Sequence, residues 1–226
     1  IADLEHLPVP YVMVDRTIDA LDCDKVTFNN ELGGYLATKY LLDHGHRRIA
    51  CMVNTASNTG CARLNGYVRA LGEKGLELDQ SLVLTSDYYI PDAYLAAQQL
   101  IRVNATAVVA TSDNIALGLL RYLYERGLHV PRDYSVVGYD NSISDALFEP
   151  ALTSIEQNVD ELSDAALSIM FRRLGEHGAD VVQRAATQSA ATGKNNGIEA
   201  QDDSASIQII LEPRMIEKNS VRVLGR

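Results

Sequence analysis

Short apolar runs recur along the chain at nearly regular intervals: Tyr11–Asp15, Val26–Asn29, Ile49–Val53, Leu82–Thr85, Ala107–Thr111, Ser135–Tyr139 and Ile207–Leu211. Each is short, rich in β-branched or small apolar residues and bounded by turn formers, as expected of strands buried on both faces. Between them the spacing changes to that of helices. Leu32, Tyr35, Leu36 and Tyr40 share one face and the pattern stops near Gly45; Tyr94, Leu95, Gln98 and Ile101 form another; Ile115, Leu119, Tyr122 and Leu123 a third, ending at Gly127. A fourth runs through Val159, Leu162, Ala166, Ile169 and Arg173. Strands alternating with helices of this length imply right-handed βαβ crossovers and a mainly parallel sheet covered on both faces, an α/β fold.

One segment breaks the alternation. From Gly178 to Ala205 the chain is rich in Ala, Gln, Ser, Thr, Asn, Gly and Asp, and its few apolar residues follow no period. Such a stretch buries too little to offset its ordering entropy and reads as a flexible surface insertion.

Composition narrows the classes. With 226 residues, 46% of them hydrophobic, and no apolar run near membrane-spanning length, the chain reads as a soluble α/β protein of one large domain or two lobes. A net charge of −10 means that this surface, taken alone, repels the phosphate backbone of nucleic acid. Cys23, Cys51 and Cys61 form neither an even set nor a C-x-x-C pair, so a reducing cytoplasm is expected, with no disulfide framework and no zinc ribbon. The chain opens Ile-Ala-Asp-Leu-Glu-His-Leu-Pro, without Met and without a signal peptide, and is read as part of a longer protein.

The common enzyme templates are absent: no Gly-x-Ser-x-Gly elbow, Walker loop, Gly-x-Gly-x-x-Gly or His-Glu-x-x-His. His44 and His46 flank Gly45 at a helix end, where a pair without a third ligand does not close a metal shell and a dipole and cap role suffices. No metal, cofactor or catalytic residue is therefore expected. The polar residues worth attention lie at strand ends. In a parallel sheet, Asp15, the loop Thr55–Arg63, Thr111-Ser112-Asp113 and Asp140 fall on one carboxyl edge, where α/β folds bind ligands. Singly, each has a plain explanation: Asp113 and Asp140 as helix caps, Arg63 as a surface ion pair. Together, carboxylates, an Arg fork and short hydroxyls suit a hydroxyl-rich neutral ligand such as a sugar or nucleoside.

Longer motifs extend the reading. Phe28-Asn-Asn-Glu-Leu-Gly-Gly-Tyr-Leu-Ala-Thr-Lys-Tyr-Leu-Leu-Asp-His-Gly-His-Arg-Arg-Ile49, Ala62-Arg63-Leu-Asn-Gly66-Tyr67, Thr111-Ser112-Asp113-Asn-Ile-Ala116-Leu-Gly118, Gly127-Leu-His-Val-Pro131-Arg-Asp133-Tyr-Ser135-Val-Val-Gly138-Tyr139-Asp140, Pro150-Ala-Leu-Thr-Ser-Ile-Glu-Gln157 and Leu211-Glu-Pro-Arg-Met-Ile-Glu-Lys-Asn-Ser220 follow one another in the order and spacing of the lactose/galactose repressor family, which the chain resembles. That resemblance implies a periplasmic-binding-protein-like fold of type I, two α/β lobes joined by three crossovers around a small effector. Residues 1–28 and 156–206 would form the N-terminal lobe, lacking its first βα units here, and residues 29–155 and 207–226 the C-terminal lobe. It implies ligand contacts from Asp140 and Arg63, from Ser112 where the family usually has Asn, and from Asp15 and Gln157 at positions lining the cleft or crossovers. The implied function is effector sensing and homodimerisation in a cytoplasmic, sugar-responsive transcription regulator, with operator DNA held by an N-terminal helix-turn-helix and no membrane partner. A free-standing sugar-binding protein of a transport system is the alternative on the same fold, and a sugar isomerase the third, which lacks an acid/base pair at usable spacing.

Overall fold

A computed structural model describes residue 4 and residues 9–18, 20–143, 149–175 and 205–225. The expected insertion at 178–205, apart from Ala205, lies outside them. In chain order the strands are β1 (Val12–Val14), β2 (Asp24–Phe28), β3 (Ile49–Val53), β4 (Val83–Thr85), β5 (Ala107–Ala110), β6 (Ser135–Asp140), β7 (Ser154–Glu156), β8 (Gln208–Leu211) and β9 (Arg214–Ile216). The helices are α1 (Asn30–Asp43), α2 (Asn58–Glu73), α3 (Ile90–Ala97), α4 (Asp113–Glu125) and α5 (Val159–Arg173), with 3₁₀ turns at Gln80–Leu82 and Leu100–Arg102. The chain divides into two compact units, Ile1–Phe28 with Asn158–Leu211 and Asn29–Gln157 with Glu212–Arg226.

Unit 1 contains a parallel sheet in the order β1-β2-β8. Because β8 pairs with β2, residues 207–211 stay with this unit, a few positions beyond the crossing at 206/207 drawn from the motifs. Asn158 caps α5 by accepting from the amides of Asp160 and Glu161. The helix is pinned to the sheet at its far end. Arg173 donates through Nε and Nη2 to the two oxygens of buried Asp24, both at 2.7 Å, and the Ile207 amide donates to the same carboxylate at 2.7 Å. Burial alone raises the Asp24 pKa, but these bonds outweigh it and hold the carboxyl below its ordinary value.

Unit 2 carries the larger sheet, ordered β4-β3-β5-β6-β7-β9, parallel throughout except for the antiparallel β7–β9 pair. Its central strands are apolar on both faces, so alternate residues serve different cores. Ile49, Cys51 and Val53 of β3 join Leu41 of α1 and Tyr67 and Leu71 of α2, while Ala50 and Met52 join Ala93 of α3 and Leu119, Tyr122 and Leu123 of α4. Burial pushes the Cys51 thiol up to about 12, so it packs as a small apolar group.

Helix α2 departs from expectation, since Asn58–Arg63 belongs to its first turns and not to a loop. Its buried face is Gly60, Arg63, Gly66, Tyr67, Ala70 and Leu71. Glycine and arginine hide the hydrophobic stripe by which a helix is read from sequence. The glycines have a packing reason: a Cβ on Gly34 of α1 would collide with the backbone carbonyl of Arg63, and one on Gly66 with that of Glu31. The two helices therefore cross backbone to backbone, which fixes where Arg63 stands relative to α1. Strands β7 and β9, too short to show a period, also escape the sequence pattern.

Candidate functional site

The carboxyl ends of β5, β6 and β7 bring Ser112, Asp140 and Gln157 to one edge of the unit 2 sheet, and α2 adds Arg63. Arg63 is the centre of the arrangement. Its side chain is 5% exposed, so it is not the surface ion pair that composition alone allows. Nε donates to Asn30 Oδ1 at 2.8 Å, Nη1 to the Thr111 carbonyl at 2.6 Å, and Nη2 to Gln157 Oε1 at 3.5 Å. The guanidinium lies over the Tyr139 ring, 3.7 Å from its centroid. A planar cation stacked and bonded in this way is oriented before any ligand arrives, and little rotamer entropy is left to lose.

Asp140 faces it, with Oδ1 3.7 Å from Arg63 Nη1, and keeps 35% of its side chain exposed. The backbone here is unusual: Asp140 has φ 97° and the next residue, Asn141, φ 51°, two non-glycine residues in the left-handed region at the end of a strand. Such conformations are uncommon and persist only where the surroundings hold them. Asp113 supplies part of that hold. It is not a helix cap; the 1% exposed carboxylate accepts from the Tyr139 amide (3.1 Å), the Ser154 hydroxyl (3.0 Å), and the amide and hydroxyl of Ser142 (2.7 and 3.1 Å). Gly138 leaves the room this needs, since a Cβ there would stand 2.6 Å from Asp113 Oδ1.

Ser112 is the N-cap of α4, its Oγ accepting from the Ile115 amide at 3.3 Å, and it is 5% exposed. The cap uses one of the oxygen's two lone pairs and leaves the hydroxyl proton to donate. Asp15, in unit 1, follows β1 with φ 63°, and its buried Oδ1 has no hydrogen-bond partner among the described residues. Sequence reasoning overlooked Asn30 and Tyr139 as members of the Arg63 network. Asn30 Oδ1 also accepts from Tyr139 Oη (3.5 Å) and Gln157 Nε2 (3.4 Å). Only its place in the motif beginning at Phe28 could have pointed to it. A second polar group stands at the ends of β3 and β4. Ser57 Oγ lies 2.7 Å from Thr59 Oγ1 and 3.0 Å from Tyr88 Oη, and Thr59 precedes Arg63 by one turn of α2, on the same face. Among the described residues no group of His, Cys, Asp and Glu has the arrangement of a metal site, and no helix is long and apolar enough to cross a membrane.

A family model described as periplasmic binding protein-like domain matches residues 38–191. With the parallel sheets and the strand-end residues above, the chain belongs to this family, in the branch carried by regulators of the lactose/galactose repressor type. The HTH-type transcriptional repressor PurR of Vibrio atlanticus (strain LGP32) is 37% identical over 172 residues, covering 75% of this chain and 52% of the relative. The PurR repressor of Pasteurella multocida (strain Pm70) is 33% identical over 171 residues, 74% and 51% of the two chains. This chain thus spans about half the length of the curated relatives it matches. Among solved structures, a LacI family regulator from Enterococcus faecium with bound ribose aligns with TM-score 0.75 and 26% identity, over 96% of this chain and 72% of that one. The transcriptional regulator CelR in complex with cellobiose aligns with TM-score 0.71 and 29% identity, over 94% and 59%.

Proposed function

We propose that this chain is the ligand-sensing part of a bacterial transcription regulator and that its effector is a sugar. The observation that carries the reading is the preset pair of Arg63 and Asp140: a buried, stacked guanidinium facing a carboxylate held in left-handed backbone at a strand's carboxyl end. Such a pair offers a donor fork and a two-oxygen acceptor to adjacent ligand hydroxyls. Gln157 adds an amide and Ser112 a hydroxyl proton. The ribose and cellobiose bound to the two structural neighbours support the hydroxyl-rich class. Effector binding would shift the population of the regulator's DNA-competent state, with operator DNA held by a helix-turn-helix outside these residues, in a cytoplasmic homodimer.

The test is calorimetry of the wild type, Asp140→Ala and Arg63→Ala against a panel of mono- and disaccharides that includes D-ribose and cellobiose. Each variant should lose on the order of 2–4 kcal/mol of binding free energy, since charge-assisted hydrogen bonds contribute about 1.5–3 kcal/mol apiece without strict additivity. Affinity unchanged in both variants would move the site away from this edge.

A further inference from the structure

Two consecutive left-handed residues at Asp140 and Asn141 need a restraint, and Asp113 bonds the residues on either side of them, Tyr139 and Ser142. Of the two between, Asn141 is held from other segments. The Asn141 amide donates to Ser154 Oγ at 3.2 Å, its Nδ2 donates to Glu156 Oε1 at 3.1 Å, and its Oδ1 accepts from Lys218 Nζ at 2.8 Å. Lys218 comes from the segment after β9, 77 positions further along the chain. Its backbone is itself pinned: the Lys218 amide donates to Thr153 Oγ1 at 2.9 Å, and two residues on, Ser220 Oγ donates to the Val136 carbonyl at 2.6 Å while accepting from the Thr153 amide at 2.8 Å. A half-buried ammonium delivered from a fixed backbone defines which way the Asn141 amide faces, because only the carbonyl side of an amide accepts. With its side-chain amide held at both ends and its backbone N–H on Ser154 Oγ, Asn141 is restrained at three points.

We propose that Lys218 is a positioning residue for ligand recognition: through Asn141 it locks the left-handed Asp140–Asn141 pair and so aims the Asp140 carboxylate at the ligand beside Arg63. The ligand part of this rests on the reading above that Asp140 contacts the effector. The geometric part does not, and the two are tested separately. Crystal structures of the full chain carrying Lys218→Met should show Asp140 and Asn141 leaving the left-handed region or splitting into several conformers, and Lys218→Arg, which restores a donor, should return them. Unchanged φ at both residues in Lys218→Met overturns the proposal. Calorimetry with D-ribose and cellobiose then compares wild type, Asp140→Ala, Lys218→Met and Lys218→Arg. Lys218→Met should bind about tenfold more weakly than wild type, as expected when a binding-competent conformation becomes a minor one, with recovery in Lys218→Arg and little change in thermal midpoint. If Asp140→Ala binds as wild type does, the effector-site reading fails while the crystal structures still decide the lock. If Asp140→Ala loses binding and Lys218→Met keeps it, the positioning role is overturned.

Discussion

Two residues apart in sequence, His44 and His46 meet different environments. His44 closes α1 as its C-cap, with Nδ1 2.8 Å from the Tyr40 carbonyl, in keeping with a dipole and cap role. His46 is fully buried, its Nδ1 2.8 Å from Thr106 Oγ1 and its Nε2 3.2 Å from the Arg222 carbonyl. Burial depresses its pKa, because the charged imidazolium loses its water. The unfolded chain therefore takes up a proton at this residue before the folded one does. The stability His46 contributes is complete above the unfolded value of about 6.5 and is lost as pH falls through the lower folded value. Urea midpoints measured from about pH 7 down to about pH 5 should decline, and a His46→Gln variant should show a shallower decline over the same window. An identical slope in both would remove His46 as the source. Ser112 is a further case in which bonding fixes the role: one lone pair of its hydroxyl is committed to the α4 cap, which leaves the second lone pair and the proton for any ligand contact.

At the scale of elements, the α1–α2 crossing sets the position of the candidate site. Gly34 and Gly66 let the two backbones touch, and the atom that a Cβ on Gly34 would strike is the carbonyl oxygen of Arg63 itself. Gly34→Ala should force the helices apart at a cost of about 1–3 kcal/mol, the range for overpacking a close-fitted core. Gly72, also in α2, is the control. No atom lies within 4 Å of a Cβ built there, so Gly72→Ala should be neutral or stabilising by about 0.5–1 kcal/mol, the helix-propensity gain of alanine over glycine. Chemical denaturation of the two variants checks both signs. The same crossing explains what was legible. Strands β3, β5 and β6 and helix α4 stand close to where apolar period and terminal glycine place them, because their buried faces are mostly apolar. Helices α1 and α5 form where the period places them, but α1 buries Gly33, Gly34, Ala37, Thr38, Leu41 and Leu42 while Leu32, Tyr35, Leu36 and Tyr40 are half-buried, and in α5 only Ile169 is fully buried, with Val159 exposed. Helix α2 was not legible in its first turns, because there its buried face is Gly60, Arg63 and Gly66, and only Tyr67, Ala70 and Leu71 further on are apolar.

At the scale of the whole chain, net charge bears on DNA contact. The 226 residues carry net charge −10, and the electrostatic part of DNA affinity comes from Lys and Arg that neutralise phosphates. This chain by itself should give no sequence-specific mobility shift with operator DNA at about 150 mM salt. A salt-sensitive specific shift would place a reader within these residues. The ordered motifs from Phe28 to Ser220 were enough to assign family and fold, because recurring residue types at fixed spacing are a linear property of the chain. They also named Asp140, Arg63, Ser112 and Gln157 as residues to watch. Their surroundings were decided only in three dimensions: Arg63 buried against Tyr139 and Asn30, Asp113 turned from a cap into a four-bond anchor, Asp140 set in left-handed backbone, and Lys218 brought 77 positions back to bond the next residue, Asn141. Composition and period report how much apolar surface a segment can bury. Which polar groups lose water together, and which partner each then finds, depends on contacts between segments distant in the chain, and only the folded structure makes those contacts.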